Sequence, residues 1–288
     1  MLSILIPVYA CDARTLVRAL HTQAGVLGVD FEMLVYDDAS PAVPEGWAEL
    51  VALDRVKARR MSQNLGRAKL RNRLAADARG AWLLFLDADA AVPDAQYLAR
   101  YWAARHRAPV LCGGTAYQST PPSNAAHYLR WHFGRHREQS TAATRSAAPY
   151  ASFSTFNFMI QRPVFQSIGF DAALQRYGHE DTLFGWELAQ RGIPIAHLNN
   201  PLIHLGLDTA AQFLAKTERG IQNLHGLQMR YPGFRTRLLD AADRYAPLLP
   251  LLGGLRGILE RQLLGRRPSL WLFDLWKLAV YTRVMSAE

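Results

Sequence analysis

Two strongly apolar runs in the first ninety residues end directly in acidic residues. Residues 31–36 (FEMLVY) lead into Asp37-Asp38, and residues 82–86 (WLLFL) lead into Asp87-Ala88-Asp89. Runs this apolar are typical of strands covered on both faces, as in a parallel sheet flanked by helices. The carboxyl ends of parallel strands meet at one edge of the sheet, where ligands bind. We therefore expect both acidic groups at one site, where a cation or hydrogen-bond donors offset their mutual repulsion.

Strand-like and helical patterns alternate over the first hundred residues. This alternation predicts an α/β fold with a mostly parallel, Rossmann-like sheet flanked by helices. The predicted strands cover residues 3–8, 31–36, 55–59, 82–86, 110–112, 155–160 and 193–198. The predicted helices of this part cover residues 15–22, 68–78 and 181–191, and another begins at residue 162.

Two later stretches allow alternative interpretations. Residues 119–148 are polar and basic, which fits an amphipathic helix followed by a mobile loop, or a lid over the substrate. The chain after residue 206 is predicted to be a helical C-terminal extension, with helices over residues 209–230, 246–264 and 270–284. The last two are apolar with interspersed Arg and Lys. They either pack on the sheet domain or lie on an anionic membrane surface.

Composition limits the partners and the compartment. The 33 basic and 24 acidic residues give a net charge of +9, which favours anionic partners such as phosphates. Sequence signals of nucleic-acid-binding modules do not accompany this charge, so no specific nucleic-acid partner is predicted. Cys11 and Cys112 are interpreted as buried thiols of a reducing compartment. Without a membrane-spanning apolar run or a signal-peptide pattern, we expect a cytoplasmic protein, free or peripheral on the cytosolic face of a membrane.

Four groups of residues resemble, in order and spacing, the motifs of family 2 glycosyltransferases of the GT-A fold. They are residues 4–9 (ILIPVY), 35–40 (VYDDAS), 64–68 (NLGRA) with Arg71-Asn72, and 86–89 (LDAD). A later series is similar to the acceptor half of the galactosyltransferase, polypeptide N-acetylgalactosaminyltransferase and chondroitin-polymerase branch. It comprises residues 157–160 (NFMI), 169–171 (GFD), 177–181 (YGHED) and His204.

The resemblance covers about residues 1–206. It implies a GT-A domain over this range, with a nucleotide-sugar half at residues 1–108 and an acceptor half at residues 109–206, followed by the extension at residues 207–288. The implied activity moves a sugar from a nucleoside diphosphate sugar, expected to be a UDP-sugar, to a hydroxyl of a glycan or lipid-linked acceptor. The sugar is transferred with inversion at the anomeric carbon.

The resemblance also implies which residues bind the donor. These candidates are Pro7, Tyr9, Asp37, Asp38, Asn64, Gly66, Arg67, Arg71, Asp87 and Ala88. Chemistry supports the two arginines, because they open a predicted helix after a glycine-containing loop, where the helix dipole and guanidinium groups attract phosphate. Each arginine alone would more often be a solvated helix residue.

A divalent cation, Mn²⁺ or Mg²⁺, is the implied cofactor. It would neutralise the diphosphate leaving group while one or two carboxylates hold it. Asp89 is the candidate direct ligand, and Asp87 contacts either the ribose or a water on the metal. His204 is the candidate imidazole ligand by resemblance, with His197 and His179 as competitors.

Inversion in one displacement requires a base opposite the leaving group. By resemblance this base is Asp181, and Glu180 orients the acceptor. An acidic pair at the start of a predicted helix is also favoured by the helix dipole alone. Two other functions remain open from the residues: a nucleotidyltransferase of related α/β fold, and a non-catalytic relative that binds nucleotide sugar.

Three residues depart from the family pattern. Ala10 stands where Asn is frequent, Ala39 replaces a usual Gly, and Ala90 stands where a third acid often follows the Asp-x-Asp motif. A positive φ at Ala39 is expected to be strained, because an L-residue with a Cβ disfavours that conformation.

Overall fold

The computed structural model describes residues 1–172 and 178–286 of the chain. Tyr177, part of the predicted acceptor-half series, lies outside the described residues. The chain divides into two compact units. The sheet unit contains the described residues of Met1–Gln118, Glu138–Gln175 and Glu180–Gly206, and the helical unit contains those of Ser119–Arg137, Arg176–His179 and Leu207–Glu288. The predicted domain boundaries stay a prediction.

Strands and helices alternate through the sheet unit, and helices dominate the helical unit. The strands are β1 (Leu2–Val8), β2 (Phe31–Asp37), β3 (Val56–Arg60), β4 (Trp82–Leu86), β5 (Ala90–Ala91), β6 (Val110–Cys112), β7 (Thr115–Ala116), β8 (Asn157–Gln161), β9 (Ile195–His197) and β10 (Leu202–His204). The helices are α1 (Arg14–Val26), α2 (Trp47–Val51), α3 (Arg67–Asp77), α4 (Tyr97–Ala104), α5 (Tyr128–Phe133), α6 (Ala142–Ser146), α7 (Arg162–Ile168), α8 (Glu180–Gln190), α9 (Ala210–Arg230), α10 (Arg237–Arg244), α11 (Leu249–Leu263) and α12 (Leu270–Ser286).

Within the described residues, the large sheet has seven strands in the order β3-β2-β1-β4-β8-β6-β9. β1 runs parallel to β2 and β4, and β6 runs parallel to β9. β8 runs antiparallel to both neighbours, so that Leu86 at the end of β4 lies opposite Asn157 at the start of β8. The predicted mostly parallel α/β fold with a helical C-terminal part is confirmed.

Alternate side chains of the central strands fill two apolar layers. Ile4 and Leu84 pack on one face of the sheet with Leu20 of α1. Leu5 and Phe85 pack on the other face, where α3 covers them. A strand buried on both faces exposes no polar side-chain positions, which explains the continuous apolar runs in the sequence.

A second sheet, in the order β5-β10-β7, was not predicted. Its strands have only two or three residues each, too few to carry an alternating pattern. The prediction of a buried thiol holds for Cys112 and is wrong for Cys11, which is only partly buried because it follows the end of β1. Much of residues 119–148 forms short helices, among them α5 and α6, so a mobile loop is a poor description of this stretch.

The helical unit has its own apolar core. Leu259 and Leu263 of α11 pack with Phe273 and Trp276 of α12. Helix α9 begins with a capping box, in which the Thr209 side chain accepts a hydrogen bond from the Gln212 backbone and the Gln212 side chain accepts one in return. Among the described residues, no helix is both long and apolar enough to cross a membrane.

Ala39 adopts the left-handed conformation that the sequence comparison anticipated, with a φ of 57°. This residue follows the buried acidic pair at the end of β2, where the chain turns sharply. A left-handed alanine costs about 1–2 kcal/mol relative to an ordinary conformation.

We predict that Ala39→Gly raises the free energy of unfolding by up to about 1 kcal/mol, because the relieved strain exceeds the added flexibility of the unfolded chain. Chemical denaturation measures this change. Ala52→Gly is the matched control, since Ala52 has a φ of −81°, and it should lower stability by about 0.5–1 kcal/mol. Equal losses in the two variants would show that the strain at Ala39 has no energetic weight.

Candidate active site

Two arginines of α3 connect acidic residues from separate elements. Arg71 donates a hydrogen bond from Nη2 to Asp87 Oδ1 at 2.6 Å, just beyond the end of β4. The Nη1 atoms of Arg71 and Arg67 lie 3.9 and 3.6 Å from Glu180 Oε1, at the start of α8. The carboxyl end of β4 and the N-terminus of α8 therefore meet around two guanidinium groups.

Arg71 is almost completely buried, with 1% of its surface exposed. Its guanidinium group lies over the ring of Phe170, 5.7 Å from the ring centroid. Within the described residues, Nε and Nη1 of Arg71 have no hydrogen-bond partner. Buried donors without partners are rare, and a ligand or ordered water usually accounts for them.

The carboxylates of Asp37 and Asp38 are both engaged by other parts of the protein. The Asp37 carboxylate accepts a hydrogen bond from Arg60 Nε at 2.9 Å and others from Ser40. The Asp38 carboxylate accepts hydrogen bonds from the backbone N–H groups of Leu65 and Gly66 at 2.7 and 2.9 Å. Asp38 therefore fixes the loop that leads into α3, whereas Asp37 joins the turn after β2 to the end of β3.

The remaining candidates for donor binding lie around this loop and β1. Pro7 is in β1, and Tyr9 beyond it is exposed. Asn64 donates a hydrogen bond from its side chain to the backbone carbonyl of Asp38 at 3.0 Å. Ala88 is buried directly after Asp87. The roles of these residues toward a nucleotide sugar stay predictions.

Asp89 and His204 meet although 115 positions separate them in the chain. Asp89 Oδ2 lies 3.3 Å from His204 Nε2. The pairing of β10 with β5 causes this approach, because His204 lies opposite Ala90. Gly206 is needed beside them, since a Cβ there would lie 2.1 Å from Asp89 Oδ2. Burial raises the pKa of Asp89, but the hydrogen bond and charge of His204 outweigh it and keep the pKa below its ordinary value.

His197 is differently placed. Its Nδ1 accepts a hydrogen bond from Arg145 Nε at 3.2 Å, and its Nε2 lies 3.0 Å from the carbonyl oxygen of Pro149. Both ring nitrogens of His197 therefore have partners within the protein. Of the histidines weighed as metal ligands, His204 is the one with its imidazole against Asp89, whereas His179 belongs to the helical unit.

The pair of Asp89 and His204 fits a divalent cation that also binds phosphate. Two adjacent donors at octahedral distances of 2.0–2.1 Å from one ion lie about 3 Å apart, close to the spacing of Asp89 Oδ2 and His204 Nε2. Residues 1–172 and 178–286 contain no group of three or more His, Cys, Asp or Glu side chains arranged to hold a metal. The protein would supply few ligands, as is usual where substrate phosphates complete the coordination.

The surroundings of Asp181 make its carboxylate a stronger base than that of an ordinary aspartate. It lies in the first turn of α8, partly buried, and its Oδ1 accepts a hydrogen bond from Thr182 N at 2.8 Å. Burial and the negative charge of Glu180 raise the pKa of Asp181 to about 6, against the smaller lowering effects of the Thr182 hydrogen bond and of Arg71. Such a carboxyl is ionised at neutral pH and still accepts a proton more readily than an ordinary aspartate.

The mostly parallel sheet carries acidic residues at its carboxyl edge, the place where open α/β sheets bind their ligands. The family model "Glycosyl transferase family 2" matches residues 3–169, more than half of the 288-residue chain. The chain belongs to this family and is a glycosyltransferase. This membership decides against the nucleotidyltransferase alternative.

Solved structures share the fold. A structure of residues 1–349 of TarS from S. aureus has a TM-score of 0.54 and 17% identity, covering 99% of this chain and 90% of that one. The mannosyltransferase PcManGT from Pyrobaculum calidifontis, in complex with GDP-Man and Mn²⁺, has a TM-score of 0.54 and 16% identity, covering 99% and 74%. The same TarS fragment in complex with UDP-GlcNAc has a TM-score of 0.52 and 16% identity, covering 99% and 90%. No curated protein matches the chain.

Sequence reasoning missed several neighbours of the candidate residues. Tyr117 and Phe156 place their rings edge-on against His204, with centroid separations of 5.5 and 5.1 Å. Arg60 is the ionic partner of Asp37. The position of Arg60 at the end of the strand next to β2 is a signal that could have predicted this pair.

We predict that Arg71→Met lowers the free energy of unfolding by about 3 kcal/mol, because it leaves the Asp87 carboxylate without its cation. Chemical denaturation of the ligand-free protein measures the loss. Arg73→Met, on the same helix, removes an exposed ion pair with Asp77 and should cost less than about 0.5 kcal/mol. The double variant Arg71→Met/Asp87→Asn should recover part of the loss. Similar costs for the two single variants would contradict a supporting role of Arg71.

Proposed function

We propose that the protein transfers a sugar from a nucleoside diphosphate sugar to a hydroxyl group with inversion at the anomeric carbon. The donor is a UDP-sugar, the acceptor is a glycan or a lipid-linked acceptor, and a divalent cation takes part. The observation that carries the proposal is the cluster of Asp87, Glu180 and Asp181 around the buried Arg71. Related folds that bind UDP-GlcNAc or GDP-Man support the donor class.

Asp181 is the proposed base. The acceptor oxygen forms a bond to the anomeric carbon while the bond from that carbon to the diphosphate oxygen breaks. The acceptor hydroxyl proton passes to the Asp181 carboxylate, and the leaving diphosphate takes the bonding electron pair. Inversion follows because the acceptor attacks from the side opposite the diphosphate. The raised pKa of Asp181 supports this role, since it favours capture of the proton.

Glu180 is the proposed orienting residue. Its carboxylate lies near the guanidinium groups of Arg67 and Arg71, which limits where it can point. An oriented carboxylate can accept a hydrogen bond from a second hydroxyl of the acceptor. It also keeps negative charge beside Asp181, which contributes to the raised pKa of that residue.

Arg67 and Arg71 are the proposed diphosphate ligands. They lie in the first turns of α3, after Gly66, where backbone N–H groups and the helix dipole also favour anions. The unsatisfied donors of Arg71 support this role. Pro7, Tyr9, Asp37, Asp38 and Asn64 are proposed to form the nucleoside side of the same region, with Asp38 acting through the loop that it holds.

Asp89 and His204 are the proposed ligands of Mn²⁺ or Mg²⁺. Asp87 is proposed to contact either the ribose or a water on the metal. When bound, the cation would neutralise charge that develops on the diphosphate. The imidazole of His204 favours Mn²⁺ over Mg²⁺ as the resident ion, because nitrogen donors suit transition metals better.

We predict that kcat/KM falls about tenfold per pH unit below pH 6, because protonated Asp181 cannot accept the acceptor proton. Asp181→Asn should lower turnover by a factor of about 10²–10⁴ and leave donor affinity nearly unchanged. Nucleotide release from UDP-, GDP- and dTDP-sugars with acceptor extracts measures turnover.

Glu187→Gln is the matched control for Asp181→Asn, because Glu187 lies on the same helix and pairs with Arg191. It should keep wild-type turnover and the acidic limb of the profile. Full activity of Asp181→Asn would remove Asp181 as the base and revive a purely binding role for this carboxyl.

We predict that chelation with EDTA abolishes turnover, and that His204→Gln raises the Mn²⁺ concentration for half-maximal activity by about tenfold or more. His106→Gln, at an exposed position, is the control and should leave the Mn²⁺ requirement unchanged. Turnover of UDP-sugars that survives EDTA would overturn the metal assignment.

A further inference from the structure

Helix α11 presents apolar side chains on two faces. Leu259 and Leu263 face the core of the helical unit and are buried. Leu251, Leu255 and Ile258 expose 72%, 44% and 66% of their surface. Spacings of four and three residues put these three side chains on one helix face, which we term the apolar stripe. A surface helix normally carries polar residues on that face.

The end of α11 nearest α12 adds further apolar surface. Leu264 follows the helix and exposes 48% of its surface, and Trp271 in the first turn of α12 exposes 66%. Only the short connection between α11 and α12 separates these residues in the chain. Several exposed apolar side chains on one helix face, as in the apolar stripe, mark an interaction site, whereas single ones are ordinary.

Three arginines accompany the apolar stripe. Arg261 lies one helical turn beyond Ile258, and Arg266 and Arg267 lie in the connection between α11 and α12. All three are exposed. None of the ion pairs recorded among the described residues involves them. We term these residues the arginine group.

Acidic side chains of the two helices are already engaged elsewhere. Glu260 lies 3.7 Å from Arg256, and Asp274 lies 2.8 Å from both Arg137 and Lys277. The surface near the connection therefore combines exposed apolar side chains with three exposed arginines that form no ion pair found among the described residues. This combination matches an anionic lipid surface, in which acyl chains receive apolar side chains and headgroup phosphates receive arginines.

We propose that α11 and the start of α12 bind the surface of an anionic phospholipid bilayer. The apolar stripe enters the boundary between headgroups and acyl chains, Trp271 lies at the level of the headgroups, and the arginine group binds phosphates. A second copy of the chain is a less suitable partner. A twofold interface through this patch would bring the arginine groups of both copies together without acidic partners.

The test is sedimentation of the full-length protein with large vesicles, in the absence of donor and acceptor. One set contains phosphatidylcholine alone, and the other contains phosphatidylcholine with 30% phosphatidylglycerol as a chosen composition, roughly enough for a strongly anionic surface. We expect binding to the anionic vesicles, weakened by salt, and little binding to the neutral ones.

Two variants separate the apolar and the electrostatic contributions. Arg261→Gln/Arg266→Gln/Arg267→Gln should weaken binding to anionic vesicles by about fivefold per arginine, roughly a hundredfold together. Leu251→Gln/Ile258→Gln should weaken binding at least tenfold, since two side chains no longer enter the bilayer. Circular dichroism melting of each variant shows whether the fold is kept.

Matched controls come from exposed residues of the sheet unit. Val26→Gln/Val43→Gln replaces two exposed apolar residues, and Lys57→Gln/Arg59→Gln/Arg107→Gln removes the same amount of charge. Both controls should bind vesicles as the wild type does. If the charge control loses as much binding as the arginine variant, the net charge of the protein is responsible and the proposal fails.

Two further results would also overturn the proposal. One is the absence of sedimentation with anionic vesicles. The other is a dimer in analytical ultracentrifugation that Leu251→Gln/Ile258→Gln dissociates while vesicle binding is unaffected, which would make the patch a self-association surface. Because vesicle binding needs no sugar donor, these outcomes are independent of the proposed reaction.

Discussion

A buried arginine between acidic groups is the interaction on which the candidate site depends. Arg71 reaches Asp87 after β4 and Glu180 at the start of α8 from a position inside α3. Carboxylates from distant parts of the chain repel one another unless a cation lies among them. The guanidinium group therefore makes the meeting of the two halves of the sheet unit electrostatically possible. Two of its nitrogens have no hydrogen-bond partner within the described residues, so their N–H groups can donate to a ligand.

The guanidinium group of Arg71 also influences the pKa of Asp181. Burial and Glu180 raise the pKa of Asp181 to about 6, whereas the hydrogen bond from Thr182 N and the charge of Arg71 lower it by smaller amounts. At Asp89, a proposed metal ligand, the hydrogen bond and charge of His204 outweigh burial and keep the pKa below its ordinary value. Two aspartates at one sheet edge thus acquire different acid strengths because different partners reach them.

The sequence was informative wherever a local pattern decides the structure. The run of residues 82–86 has the bounds of β4, and the acidic pairs mark the ends of β2 and β4. Long apolar strands can be predicted because burial on both faces leaves no polar positions. Strain at Ala39 could be expected because the resemblance places a usual Gly there, and the φ of 57° lies in the left-handed region.

Features that depend on distant parts of the chain could not be predicted in this way. The antiparallel direction of β8 depends on its pairing with β4 and β6, and the residues of β8 alone do not indicate this pairing. The two-residue strand β5 exists because β10 pairs with it, and this pairing brings His204 to Asp89. The resemblance suggested His204 without indicating how the chain brings it there. The partners of His197 were equally invisible, since Arg145 lies 52 positions away in the chain.

The reversed strand has a consequence for how the edge of the sheet can vary. A parallel strand contributes the residues that follow it to the carboxyl edge, but β8 contributes the residues that precede it. Phe156 accordingly accepts a hydrogen bond from Asp87 N through its carbonyl oxygen and places its ring against His204. The segment before β8 therefore contacts both the acidic loop after β4 and the imidazole beside Asp89. An insertion or deletion there would shift Phe156 and with it the surroundings of the candidate metal ligands.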